Sequence, residues 1–135
     1  MKTHLLSTLE NSKNYTLAVA EALPENSYNF KPSSEGWSFN ELMNHIAYGI
    51  QWWEANYVKK TETKWNPPAP KANKKETIQY LKQCYEAFRE TIEKGNLTEE
   101  VIKGFGATTD HITHHRGQAV LFLRLKGIAA PEYVY

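Results

Sequence analysis

Apolar residues in this chain recur at steps of three and four, and that spacing confines it to helices. The cleanest run is Ile78, Leu81, Tyr85, Phe88 and Ile92, one stripe down a helix that Gly95 stops, with Cys84 flanking it. Leu5, Leu9, Ser12, Thr16, Val19 and Leu23 give a first helix from about Thr3 until Pro24 ends it. Leu42, Ile46, Ile50, Trp53 and Tyr57 form the stripe expected to be buried in a second helix, running to about Val58. Its start is written as a capping box, Ser38 with Glu41 three residues on. Trp37 before the cap and Leu42 inside the helix fit a hydrophobic staple, so Trp37 is expected to be structural.

The last helix is expected to follow a short helical turn between Thr98 and Lys103, closed off by Gly104 and Gly106. Thr108 or Thr109 would cap it, Asp110 suits its positive end, and "HITHHRGQAVLFLRLK" carries it to Gly127. Two connections are long. "PENSYNFKPSSEGW" joins helices one and two, and the polar, proline-rich "KKTETKWNPPAPKANKKE" joins two and three, with Trp65 conspicuous inside it. No strand pattern and no internal repeat is present. The expectation is an all-α, four-helix bundle with long connections between helices one/two and two/three, a single domain over residues 1–135.

A content of 41% hydrophobic and 23% charged residues suits a soluble domain that buries a core. Sixteen basic and fifteen acidic residues gather into no basic face, so no nucleic-acid partner is expected. No run approaches the roughly 20 apolar residues of a membrane span, and the N-terminus lacks the apolar core of a signal peptide. The single cysteine, Cys84, excludes an internal disulfide and suits a reducing compartment, so a cytoplasmic setting is expected.

The chemistry gathers in "TTDHITHHRGQ", where His111 and His115 stand four apart and rise from one helical face. Gln118, Phe122 and Leu125 continue that face, which is expected to point at the core from the mouth of the bundle. Near a helix start the dipole disfavours imidazolium, and the neutral ring is the one that binds metals. His45, on the edge of the helix-two stripe beside Gly49 and Trp52, is the natural third ligand. By spacing alone the pair fits a metal site or a pair of structural or surface imidazoles. His114 points away as a solvated, supporting or subunit-contact residue, and His4 is expected at the surface.

Other chemistries fit poorly. Ile112 stands where a zinc protease of the His-Glu-x-x-His type needs glutamate. Cys84 lies mid-helix without an adjacent base, as a small core residue does. Glu21, Glu41, Glu54 and Glu86 are explained by solvation or capping, and the Glu-x-x-His motif of di-iron bundles is absent. Trp52 and Trp53 fit core or dimer packing better than a pocket wall.

Two segments, "EALPENSYNFKPSSEGWSFNELMNHIA" and "HITHHRGQAVLFLRLKGIAAPEY", resemble the DinB-like superfamily, which includes DfsB-type proteins and the S-transferases that use bacillithiol or mycothiol. The resemblance spans nearly the whole chain and places the family's three metal-binding histidines on His45, His111 and His115. It implies a divalent transition metal, zinc favoured with nickel, iron or manganese compatible, and a homodimer of bundles. In enzymatic members it implies transfer of a low-molecular-weight thiol to an electrophilic small-molecule substrate. On that footing Gln118 is expected to orient a ligand or water, and the Trp65 loop to cover the pocket. Arg116 is expected to bridge to another helix, with recognition of an anionic group as its other use. Two further readings stand beside the enzyme: a stress-related bundle that binds a metal or small ligand without turnover, and histidines that only satisfy hydrogen bonds.

Overall fold

The computed structural model describes residues 1–133, and among them every regular element is helical. Helix α1 spans Lys2–Ala22, α2 Phe39–Trp53, α3 Lys74–Lys94 and α4 Glu99–Leu125, with a 3-10 turn at Glu25–Ser27 and a π-helical turn at Glu54–Val58. Helices α1 and α2 each pack on both α3 and α4, which puts α1 and α2 at opposite corners of the bundle. The 23–38 connection therefore crosses a diagonal. Among the described residues no helix is long and apolar enough to cross a membrane.

Local chemistry sets each helix start. Ser38 Oγ accepts from Glu41 N–H at 3.1 Å while Glu41 Oε1 accepts from Ser38 N–H at 3.1 Å, the reciprocal box that begins α2. Asn73 Oδ1 accepts from Glu76 N–H at 2.9 Å, and Thr98 Oγ1 from Val101 N–H at 3.2 Å, for α3 and α4. Leu9, Val19, Phe39, Leu42, Ile46, Ile50, Leu81, Tyr85, Phe88, Ile92, Ile112 and Leu123 fill the interior. Each such large side chain contributes on the order of 1.5–3 kcal/mol by leaving water. Cys84 is buried there too, its thiol pushed up to about 12 by burial, which suits a core residue and not a nucleophile.

Helix α4 departs from expectation at its start. It runs unbroken from Thr98 through both glycines, and Thr108 and Thr109 do not cap it. Their hydroxyls instead donate one turn back, to Gly104 O at 2.8 Å and Phe105 O at 3.1 Å. Gly104 is present for a tertiary reason: a Cβ there would stand 2.1 Å from Tyr57 O, so its absence lets α4 lie against the π-helical turn. The histidines consequently sit near the middle of α4, and the dipole of its first turn does not act on them.

The same π-helical turn alters the end of α2. Its extra residue rotates the chain, so Glu54 and Val58 turn inward while Tyr57 is exposed and Trp53 only half-buried. Buried Glu54 accepts from the Thr91 hydroxyl and pairs with Lys59 at 3.4 Å, where a solvated carboxylate was expected. Glu21 and Glu86 remain at the surface, paired with Lys74 and Arg89. Arg116 makes no ion pair among the described residues. It is buried, its guanidinium lying over Tyr15 at 4.7 Å and within 3.4 Å of Ser12 and Thr16 oxygens.

The proline-rich connection is strapped to α2 and the π-helical turn by a ladder of polar residues at steps of four and eight. Asn56 Oδ1 accepts from Thr63 N–H at 3.0 Å, and Tyr48 Oη from Asn66 N–H at 2.9 Å. Asn44 Oδ1 accepts from Lys71 N–H at 2.9 Å, and Asn40 Nδ2 donates to Lys71 O at 2.8 Å. Buried Thr77 locks the lower end by donating to Asn40 Oδ1 at 2.7 Å and accepting from Asn44 Nδ2 at 3.0 Å.

Gly104 and Gly106 of α4 are expected to respond in opposite directions. Gly106→Ala, which meets nothing within 4 Å, gains about 0.5–1 kcal/mol in urea unfolding, while Gly104→Ala loses about 1–3 kcal/mol against the Tyr57 carbonyl.

Candidate metal centre

His45 on α2 and His111 and His115 on α4 converge at the seam between the two helices. One ligand-capable atom from each lies within 4.8 Å of the others, a cluster that could hold a metal ion. His45 Nε2 and His115 Nε2 are 3.0 Å apart, and the ring centroids of His111 lie 5.1 Å from His45 and 4.6 Å from His115. The seam closes this far because position 49 has no side chain. A Cβ on Gly49 would stand 2.3 Å from His111 Cε1 and 2.7 Å from its Nδ1.

All three rings are half-buried. The buried face of α4 is Thr108, Ile112, Arg116, Ala119 and Leu123, so His111 and His115 flank the core and do not point into it. Gln118 and Leu125, expected on the inward face, are exposed, and Phe122 is only partly buried. Gln118 nonetheless reaches back one turn, its Oε1 2.9 Å from His115 Nδ1. If that nitrogen donates to the amide oxygen, the His115 Nε2 lone pair is left facing the other two rings. His114 is exposed, its ring 4.8 Å from that of His115, and His4 is at the surface as expected.

The environment holds these rings neutral. Burial, then the neighbouring His115 and His111, bring His45 down to about 4; burial, then His115 and His114, bring His111 to about 4. Burial also lowers His115, against the raising effect of its bond to Gln118. Burial and neighbouring imidazoles thus do what the sequence reading assigned to the helix dipole. His111 Nδ1 is moreover buried without a hydrogen-bond partner among the described residues. Three neutral nitrogen donors, one of them on a ring with an unbonded buried nitrogen, fit a divalent transition ion.

Tryptophans enclose the trio, and sequence reasoning missed most of them. Trp37 lies over His45 with ring centroids 4.3 Å apart and 5.7 Å from His115, a position in the site beyond the staple expected of it. Trp53 lies 5.7 Å from His111, and Trp65, carried by the strap, 5.4 Å from His45. Beside His45 the strap roofs a cavity of about 320 Å³, lined also by Glu41, Asn44, Tyr48, Tyr80 and Pro67, Pro68 and Pro70. The Trp65 loop, expected to cover the metal pocket, lines this cavity, to which only His45 of the trio contributes. The aromatic spacing of four along α2, Tyr48 then Trp52, was the available signal for the strap, and its partner segment lay beyond any local pattern.

Comparison with known proteins agrees with this architecture. The family model of the DinB superfamily matches residues 8–119. A DinB-like protein from Bacillus cereus superposes with a TM-score of 0.79 at 19% identity, over 97% of this chain and 95% of the other. Another from Bacillus subtilis gives 0.72 at 18% identity, over 98% and 96%. No curated protein sequence matches the chain.

Depressed histidine pKa values have a signed consequence. Below about 6.5 the unfolded chain takes up protons that His45 and His111 of the folded metal-free chain refuse, so their stabilising contribution, full above that pH, is lost progressively as pH falls to about 4. Unfolding of chelator-treated protein between pH 7 and 4 is expected to show this loss, and NMR titration should find His45 and His111 neutral at pH 6.

Proposed function

The chain belongs to the DinB superfamily, and from that premise we propose that it is a metal-dependent enzyme transferring a low-molecular-weight thiol to an electrophilic small molecule. The ligands are His45, His111 and His115, and the observation that carries the reading is their convergence as three neutral imidazoles at one point of the α2–α4 seam. Zinc is the favoured ion, with nickel, iron or manganese compatible with the donors. Three protein ligands, and not four, are the pattern of catalytic sites.

When bound, the ion supplies Lewis acidity that makes a thiol ionise near neutral pH. The remaining work falls to this chain's own residues. Gln118 fixes the His115 ring through Nδ1, which directs its Nε2 towards the other ligands. Gly49 admits the His111 ring, and Trp37 stacks on His45 and excludes water from one side of it. In the transfer the sulfur bonds to the electrophilic carbon, the thiol proton goes to solvent and any displaced group leaves with its electron pair. A homodimer is part of the proposal, and light scattering tests it.

Capture of a metal without turnover is the second reading, and one observation favours it. Glu41, the carboxylate lining the cavity, is committed to the Ser38 cap, which holds it below the usual carboxylate range and removes a free base from the wall.

Untagged protein is expected to hold about one metal ion per chain, and His45→Ala or His111→Ala to lose it while still unfolding cooperatively. Gln118→Ala should weaken metal affinity about 10–100-fold. Full metal content in His111→Ala would overturn the ligand assignment, and thiol transfer that survives chelation would overturn the enzyme.

A further inference from the structure

The cavity beside the trio has walls of an unusual kind. Trp37, Tyr48, Trp65 and Tyr80 present ring surface to it, the strap's prolines add donor-free apolar surface, and His45 belongs both to the cavity and to the histidine cluster. Its polar neighbours are already engaged within the protein. Tyr48 Oη accepts from Asn66 N–H, Tyr80 Oη bonds to Gln51 Oε1 at 3.1 Å, Asn44 is bonded at both ends of its amide, and Glu41 Oε1 accepts from Ser38 N–H. What the wall has left to offer a ligand is mainly π faces and apolar edges.

Charge decides between the ligands that such a box could take. Aromatic cages suit cations, but here Lys71 Nζ already lies 4.9 Å over the Tyr80 ring, and Lys31 Nζ stands 3.8 Å from Glu41. A divalent ion on the far side of His45 would oppose a cation further. A volume of about 320 Å³ suits a group the size of one or two fused rings.

We propose that this cavity receives a flat, uncharged aromatic group of the substrate, stacked against Trp65 and Trp37, with its reactive atom directed past His45 to the trio. The catalytic meaning rests on the metal reading above, while the binding rests on the cavity alone. Trp65 and Trp37 set the position, since their ring centroids lie 5.4 and 4.3 Å from that of His45. Tyr48 supports Trp65 edge-on at 4.8 Å, so the stacking surface is held by the strap ladder.

The test is calorimetric titration of 2-naphthalenemethanol into the metal-loaded full chain, with cyclohexylmethanol and phenyltrimethylammonium as controls and metal content measured on the same samples. Saturable binding about tenfold tighter than either control is expected. Trp65→Ala should weaken it about tenfold, Trp65→Phe should restore most of the loss, and Glu86→Gln, at the surface outside the cavity, should bind as the parent does. Tighter binding of the cation, or binding indifferent to Trp65→Ala, overturns the inference. So does a fully metal-loaded chain that does not bind the probe, which leaves the metal reading standing. A chain that binds the probe with the expected Trp65 dependence yet holds no metal supports the cavity and overturns the metal reading instead.

Discussion

The close approach of α2 and α4 is the constraint on which the rest depends. Two glycines make it possible from opposite sides: Gly49 yields space to the His111 ring, and Gly104 yields space to the Tyr57 carbonyl. A Cβ at Gly104 would run into the Tyr57 carbonyl, and one at Gly49 into the His111 ring. Displacing that ring would break the convergence of the three donors, in which His45 and His115 approach to 3.0 Å. The site is therefore a property of the seam and not of either helix.

Burial at that seam then sets the chemistry. A half-buried imidazole surrounded by other imidazoles is a poor place for a proton, so the rings stay neutral and keep lone pairs available. An unbonded buried nitrogen on His111 costs folding free energy, on the order of 1–3 kcal/mol, that a better-packed apolar residue would not cost. Sites that carry such a cost without structural return are candidates for function.

A second layer comes from the strap. Fifteen or so residues with no secondary structure of their own would ordinarily be free to move. Here Asn40, Asn44, Tyr48 and Asn56 bond backbone groups of the loop along α2, and Thr77 ties that ladder to α3. Trp65 is thereby held over His45, which gives the metal cluster a roofed cavity on one side.

How much of this was legible follows from the range of the interactions. Spacing of three and four is local physics, so the helices, the Ser38–Glu41 box and the Gly95 stop could be read directly. Edge positions on those helices, with the family resemblance, were enough to name His45, His111 and His115. The start of α4 was not legible, because Gly104 and Gly106 look like local breaks and only the Tyr57 carbonyl explains one of them. Nor was the inward turn of Glu54, since a π-helical residue shifts the face without changing the composition. The sequence by itself determined the elements and the imidazoles available to a site. Only the tertiary structure decided that those imidazoles meet, lie beside the core under tryptophans and stay neutral, because contact distance, desolvation and mutual repulsion arise between segments that no local pattern relates.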